Sequence, residues 1–302
     1  MADQAGPSTE ALAFLAQARQ EMPPLTRENA HLFRANARMQ ALPRSDRAVA
    51  RHPVEVSEAV IADRPCLIVT PEAWDGTDEA LYCYGGGYFS GSAQEDLILT
   101  APLAAYSGLR ITLVDYRLAP DHPYPAAVED GMAVYREMAS RGAFALVGES
   151  AGGNLALALL LRVLREGLPL PQRIALLSPW CDLTADPASL WNPEGDDPTL
   201  TPAMIREASV IYADGADLTD PDISPVLADW PDKLPPMLMT TGTRDLLRDQ
   251  VLRLASRLCS AGNACEVRVH PNMWHVFEFY DEIPEAERSL REIAEFLRST
   301  SA

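Results

Sequence analysis

Residues Phe144 to Leu161 read as a short apolar strand, Phe144-Ala-Leu-Val147, then Gly148-Glu149-Ser150-Ala151-Gly152-Gly153, then a long apolar helix. In a G-x-S-x-G turn between strand and helix the chain reverses so tightly that the serine backbone is strained. The residues two before and two after it must then be small to avoid a clash. The hydroxyl is lifted clear of the strand end. The Ala151 amide, at the start of the helix, points where the oxygen of an attacked carbonyl would lie, which is half of an oxyanion hole. The pentapeptide alone is a weak signal, and its strand and helix flanks make it specific.

The remaining chain supplies the setting. Val54 to Ile61 and Pro65 to Thr70, joined at Ala62-Asp63-Arg64, read as an antiparallel hairpin. Further strands are expected at Ala80 to Tyr84, Arg110 to Tyr116, Phe144 to Val147, Arg173 to Leu177, Pro236 to Thr241 and Cys265 to His270. Helical patterns run over Ala126 to Ser140, Ala151 to Arg165, Leu246 to Ala261 and Pro284 to Arg298. Strands alternating with helices imply a mainly parallel sheet covered on both faces, an α/β fold with the serine turn at the carboxyl end of a central strand.

Two regions stand outside this alternation. Residues 8 to about 45 read as two helical pieces broken at Met22-Pro23-Pro24, the first carrying Leu12, Phe14 and Leu15, the second running from Thr26 past Phe33 and Met39. Their apolar stripe is thin, so they need a partner to lie on. Cys181 to Lys233 holds seven prolines and no clear strand. Its one good helix starts at Thr201-Pro202 and carries Met204, Ile205, Ala208, Ile211 and Tyr212 on one stripe. Insertions this long between strands are usually functional, and both regions are assigned to a lid. The expected division is 1–52 for the N-terminal part of the cap, 53–184 for the first part of the core, 185–225 for the cap insertion and 226–302 for the second part of the core.

The net charge of -18 and pI near 4.6 repel polyphosphates, nucleic acid and anionic membranes, so nucleic-acid partners are excluded. The five cysteines are odd in number and form no C-x-x-C pair, which argues for reduced thiols and against both a disulfide framework and a zinc site. With no basic, apolar leader at Met1 and no apolar run of membrane length, the expectation is a soluble, cytoplasmic protein without stable membrane insertion.

A serine needs a base in reach and a third group to orient that base. Of the five histidines, His31 and His52 precede the sheet, His122 sits between prolines and His270 ends a strand. His275 lies in the loop beyond the last strand, at the same sheet edge as Ser150. Asp245 follows the preceding strand in the same manner, giving the order Ser150, Asp245, His275. Asp249, one turn further on, is the alternative, and Asp245 also stands where a helix cap belongs. The second half of the oxyanion hole is expected from Tyr84-Gly85-Gly86-Gly87-Tyr88-Phe89, where bare backbone suits close approach. Gly85 and Gly86 are the expected donors beside Ala151. The tract lacks the G-x-G-x-x-G spacing of a nucleotide site.

Together these residues resemble the hormone-sensitive-lipase-like group of α/β-hydrolase carboxylesterases. The likeness rests on the glycine loop, Asp115-Tyr116-Arg117-Leu118-Ala119-Pro120 with Pro123-Tyr-Pro-Ala126, Gly148-Glu-Ser-Ala-Gly-Gly-Asn154, Ser178-Pro179-Trp180 and the Asp245 and His275 loops. It covers nearly everything from residue 53. The resemblance implies an eight-stranded α/β-hydrolase sheet and a helical cap where the lid was placed. It also implies ester hydrolysis through an acyl-enzyme, with neither metal nor cofactor. The family motif begins H-G-G-G, and here Tyr84 stands in place of the histidine. Family members with such a tract often cleave esters of tertiary alcohols, which makes that activity an expectation too. Amidase or lactonase chemistry would use the same residues. The plant gibberellin receptors share the likeness as non-catalytic binders but lack the histidine that this chain has at 275. An apolar wall of Tyr88, Trp180, Met204, Ile205, Ile211 and Phe277 under an acidic field suits small to medium uncharged acyl esters. Finally, the strand Cys265 to His270 is followed only by the last helix, so it should form a sheet edge. Its alternating Glu266, Val267, Arg268 and Val269 suit a homodimer in which Glu266 of one chain meets Arg268 of the other.

Overall fold

The computed structural model describes residues 6–17, 22–184, 190 and 196–298. Eight strands form one sheet: β1 (Val54–Ile61), β2 (Arg64–Pro71), β3 (Glu79–Cys83), β4 (Arg110–Val114), β5 (Ala145–Glu149), β6 (Ile174–Leu177), β7 (Met237–Gly242) and β8 (Cys265–His270). Their spatial order is β1-β2-β4-β3-β5-β6-β7-β8. β1 and β2 pair antiparallel, as do β2 and β4, and all later neighbours are parallel. The hairpin closes through two residues, Ala62 and Asp63, at φ 49° and 60°. Two successive left-handed residues match the twist of the flanking strands, so the turn forms without the glycine usually found there.

The central strands carry the core: Ala80, Leu81, Tyr82 and Cys83 of β3 and Leu146 and Val147 of β5 are wholly buried or nearly so. Such continuous apolar runs are expected where a parallel strand is covered on both faces. Helix α5 (Ser150–Glu166) is apolar almost all round, and its residues from Ser150 to Leu161 are all buried. It therefore lies inside the protein, where each enclosed leucine contributes about 1.5–3 kcal/mol. It packs on α4 (Ala126–Arg141), α3 (Leu97–Ser107) packs on α8 (Pro284–Arg298), and α7 (Arg248–Ser260) packs on β7 and β8, so helices cover both faces of the sheet. The sequence pattern missed α3, whose residues are nearly all buried and which contains Pro102. An all-apolar helix has no amphipathic period to find.

The N-terminal pieces are α1 (Thr9–Leu15) and α2 (Ala30–Arg51), the latter running through Pro43 and several residues past the expected end. α1 is fixed by Ser8, whose amide and hydroxyl both donate to Glu285, and by Phe14, which stacks on Trp274 at 4.3 Å. α2 is fixed through Ser45, which donates to the Glu95 carbonyl and accepts from the Ile98 amide, and through Arg34, which donates to the carbonyls of Phe89 and Ala119. Helix α6 (Pro202–Ala213) begins as expected, with the Thr201 hydroxyl accepting from the Met204 amide. Arg27 pairs with Asp214 at the end of α6, so the N-terminal region and the insertion touch. The start of the insertion, 185–189 and 191–195, lies outside the described residues.

β8 is the sheet edge, as anticipated. The intermolecular pairing drawn for its charges meets a competitor, because Arg268 already donates to Glu266 of its own strand at 2.7 Å and to Glu292 at 3.3 Å. Among the described residues no helix is long and apolar enough to cross a membrane.

Candidate active site

Parallel strands deliver their carboxyl ends to one edge, and there β5, β7 and β8 present Ser150, Asp245 and His275. Ser150 has φ 50°. A Cβ on Gly148 would stand 2.3 Å from the Gly152 carbonyl oxygen, and one on Gly152 would stand 2.0 Å from that of Cys83. The elbow thus depends on both glycines. His275 Nε2 lies 2.8 Å from Ser150 Oγ, and its Nδ1 lies 3.1 Å from Asp245 Oδ1. Ser150 keeps 9% of its surface exposed, His275 7% and Asp245 1%.

Asp245 faces the imidazole and closes a local turn, while Leu247 holds the cap position of the helix that follows. Its Oδ1 accepts the Leu247 amide as well as facing the imidazole, and its Oδ2 accepts the Thr241 hydroxyl. Asp249 is half exposed and paired with Arg248, whereas the carboxylate at the imidazole is that of Asp245. Burial alone would raise the Asp245 carboxyl, but His275, the Leu247 amide and the Ser178 hydroxyl more than reverse this and hold it below the usual range. Burial alone would lower the imidazole, and the charges of Asp245, Asp197 and Glu278 with the Asp245 hydrogen bond raise it instead. An ionised acid beside an imidazole that welcomes a proton is what proton transfer from a serine requires.

The acid and base loops are laced together. A Cβ on Gly242 would meet the Met273 carbonyl at 2.0 Å; the amides of Thr243 and Arg244 donate to His270 and Met273, and that of Asn272 donates to the Thr243 hydroxyl. Ser178, at φ 44°, accepts the Val276 amide. Spacing and motif assign Ser178 no role beyond its place in a family motif, and assign none to Asp197. The latter, from the insertion, accepts the amides of Leu246 and His275 on one oxygen.

The first residue of the glycine loop packs against the serine turn. Gly85 lies against the buried Glu149 carboxyl, where a Cβ would be 1.9 Å from Oε1. Burial first, then the nearby Asp96 and Glu278, raise the Glu149 carboxyl far above its usual range, with the Gly85 amide opposing them. Gly86 and Gly87 have φ 96° and 63°, a region that favours glycine, and among the described residues neither amide has a protein acceptor.

Of the expected wall residues, Trp180 donates its amide to the Ser150 carbonyl, and Ile205 and Ile211 are buried on α6 with Met204 half-buried beside them. α6 covers the glycine loop, with Ala208 Cβ 3.7 Å from where a Gly87 Cβ would lie. Tyr88 is more anchor than wall: its ring stacks on Tyr212 at 3.7 Å and its hydroxyl donates to Asn154 at 2.6 Å. Phe277 departs from the reading. It is fully buried in a separate cluster with Ala11, Met273, Trp274, Ile283 and Ala286, supporting the histidine loop from beneath. Among the described residues no three His, Cys, Asp or Glu side chains gather as a metal site.

Sheet order, elbow and converging loops together define an α/β-hydrolase. Residues 80–279 match the family described as the alpha/beta hydrolase fold. An acetyl-hydrolase of Streptomyces hygroscopicus is 34% identical over 238 residues, 77% of this chain and 79% of its own length. The crystal structure of a hormone-sensitive lipase from a metagenome library is 34% identical with a TM-score of 0.77, covering 92% of this chain and 98% of that one. The crystal structure of EstE5 soaked with p-nitrophenyl butyrate is 29% identical with a TM-score of 0.87, covering 96% of this chain and 98% of that one. The chain belongs to the hormone-sensitive-lipase-like carboxylesterases of the α/β-hydrolase fold, and is a carboxylic ester hydrolase.

Proposed function

We propose that the chain hydrolyses small to medium uncharged acyl esters through a Ser-His-Asp triad and an acyl-enzyme. Ser150 Oγ attacks the acyl carbon while His275 Nε2 takes its proton, and the imidazolium returns that proton to the departing alkoxide. Water then repeats the sequence on the acyl-enzyme, freeing the acid and restoring Ser150. Asp245 holds the imidazole in the tautomer with Nδ1 protonated and stabilises its charged form. The amides of Gly86, Gly87 and Ala151 receive the oxyanion. The steps call for no metal or cofactor.

The observation that carries this reading is the unbroken chain Ser150 Oγ, His275, Asp245 at 2.8 and 3.1 Å. The apolar residues of α6 above the glycine loop favour an uncharged acyl group, and we assign α1, α2 and the insertion to a cap. Pairing of β8 with its twofold mate gives a homodimer. All five cysteines are unpaired thiols, which fits a reducing, cytoplasmic location. Release of p-nitrophenolate from p-nitrophenyl butyrate by the wild type, and its loss in Ser150→Ala, tests the reading. A Ser150→Ala variant as active as wild type would overturn it.

A further inference from the structure

The insertion before β7 sends one side chain beneath the triad. Asp197 is 3% exposed, and its two oxygens are used differently. Oδ1 accepts the amide and hydroxyl of Thr199 and the amide of Leu200, which curls the insertion around its own carboxylate. Oδ2 accepts the Leu246 amide at 3.0 Å and the His275 amide at 3.2 Å. Leu246 follows the triad acid, and His275 is the base. One oxygen from a third segment therefore holds the acid loop to the base loop. Both amides are buried, and a buried amide without a partner costs about as much as a lost hydrogen bond. Bonds to a carboxylate are also stronger than those to a neutral oxygen. Ser178, in the loop after β6, spans the same two loops, its hydroxyl bonding Asp245 and accepting the Val276 amide, so the insertion supplies a second tie, made to the backbone of His275 itself.

We propose that Asp197 is a positioning residue for the acyl-transfer site, fixing His275 relative to Asp245 from the insertion, so that the triad is in register only when the insertion is seated. This rests on the reading of Ser150, His275 and Asp245 as the triad. It gives the insertion a task besides covering substrate. Asp197 also has an electrostatic consequence. The carboxylates facing His275 are Asp245 from the loop after β7, Asp197 from the insertion and Glu278 from the turn after the histidine loop, and all three favour the imidazolium. Burial first, then the nearby Asp245, raise the Asp197 carboxyl, and His275 and the Thr199 donors oppose that rise; five described donors converge on its oxygens, an arrangement that suits an acceptor-only, ionised carboxylate.

The test uses the full chain with p-nitrophenyl butyrate, comparing wild type with Asp197→Ala and Asp197→Asn, each checked for folding by near-ultraviolet circular dichroism and thermal melting. A misplacement of reacting groups by about 1 Å can cost about 100-fold in rate, so kcat of Asp197→Ala is expected to fall by about 10- to 100-fold with KM within about threefold. Asp197→Asn keeps the shape but must turn its amide toward one pair of N–H donors, so it should lie between Asp197→Ala and wild type and remain informative if Asp197→Ala does not fold. In both variants the acid limb of kcat/KM should move to lower pH, because a charge favouring the imidazolium is gone. A folded variant with wild-type kcat overturns the inference, and so does a reduced kcat with an unmoved acid limb, which is the signature of a packing defect alone. A wild type that does not hydrolyse the ester at all overturns the triad reading itself, and this inference with it.

Discussion

Tyr84 and Tyr116 close a reciprocal clamp: each hydroxyl donates to the other's backbone carbonyl, at 2.9 and 2.7 Å, and the rings stack 4.1 Å apart. Both residues are almost fully buried. The clamp ties the start of the glycine loop to the loop after β4, at the position where the family motif has a histidine. Removing the Tyr84 hydroxyl leaves the Tyr116 carbonyl buried without its donor, a loss of about 1–3 kcal/mol.

Tyr84→Phe should therefore lower stability by that amount in a urea titration. It should also lower kcat/KM on n-butyl acetate and tert-butyl acetate together by about tenfold, a fraction of the effect of deleting a whole oxyanion donor. The two esters share an acyl group, so a loosened donor loop penalises them alike. In the wild type, tert-butyl acetate should be cleaved, more slowly than the n-butyl ester. Absence of tert-butyl turnover would remove the tertiary-ester expectation, and an unaltered Tyr84→Phe enzyme would show that the clamp is dispensable.

The triad makes a graded prediction. Ser150→Ala should reduce kcat by on the order of 10⁶ with an unchanged melting temperature, because the members of a triad act as a unit. Asp245→Asn should cost less, by about 10⁴, since the wrong imidazole tautomer is then favoured while Ser150 and the oxyanion donors remain. Asp249→Asn should be near wild type, as its carboxylate faces solvent and Arg248. Steady-state rates on p-nitrophenyl butyrate decide it, and an Asp249→Asn defect exceeding that of Asp245→Asn would reverse the assignment of the acid.

What was legible in the sequence was what is encoded locally. The serine turn, the strand ends and the loops of Asp245 and His275 each announce themselves within a few residues, and the parallel sheet then brings them to one edge. The packing of Gly85 on Glu149 was beyond spacing, because the two lie more than sixty residues apart in the chain. Asp197 left a local trace in its turn with Thr199, yet its partners Leu246 and His275 lie far along the chain. Phe277 was apolar and near the base, and nothing in its neighbours told which side of the loop it would occupy. Tyr84 and Tyr116 could be named, and their mutual bonding required the fold.

The sheet edge gives a prediction about assembly. Val269 is 39% exposed on β8, and Glu266 also faces solvent. With Arg268 held within its own chain, a dimer has to rest on strand pairing and apolar contact. Light scattering at micromolar concentration should give twice the chain mass, and Val269→Lys, which places like charges at the twofold contact, should give monomers that still hydrolyse ester. A monomeric wild type, or a dimer undisturbed by Val269→Lys, would remove the β8 interface.

Beneath the glycine loop, Asp96 and Glu149 share a site without an exposed face. Asp96 is 3% exposed and accepts the Tyr82 hydroxyl at 2.9 Å. Burial pushes its carboxyl up to about 8, with Glu95 adding to the rise and the Tyr82 hydrogen bond opposing it. A carboxyl whose folded value is raised contributes stability that is complete below its unfolded value near 3.8 and is lost as pH climbs through the folded value. Wild-type stability from this group should thus decline between about pH 4 and pH 8 and level off beyond. Asp96→Asn keeps an acceptor for Tyr82 and carries no proton to lose. Its stability relative to wild type should rise across that interval, and near pH 8.5 it should melt at least about 2 °C higher relative to wild type than it does at pH 5, the shift that about 1 kcal/mol gives a domain of this size. Melting both proteins from pH 5 to pH 9 measures the difference directly. A constant offset between the two curves would mean that Asp96 is ionised throughout and that Tyr82 and its surroundings stabilise the charge.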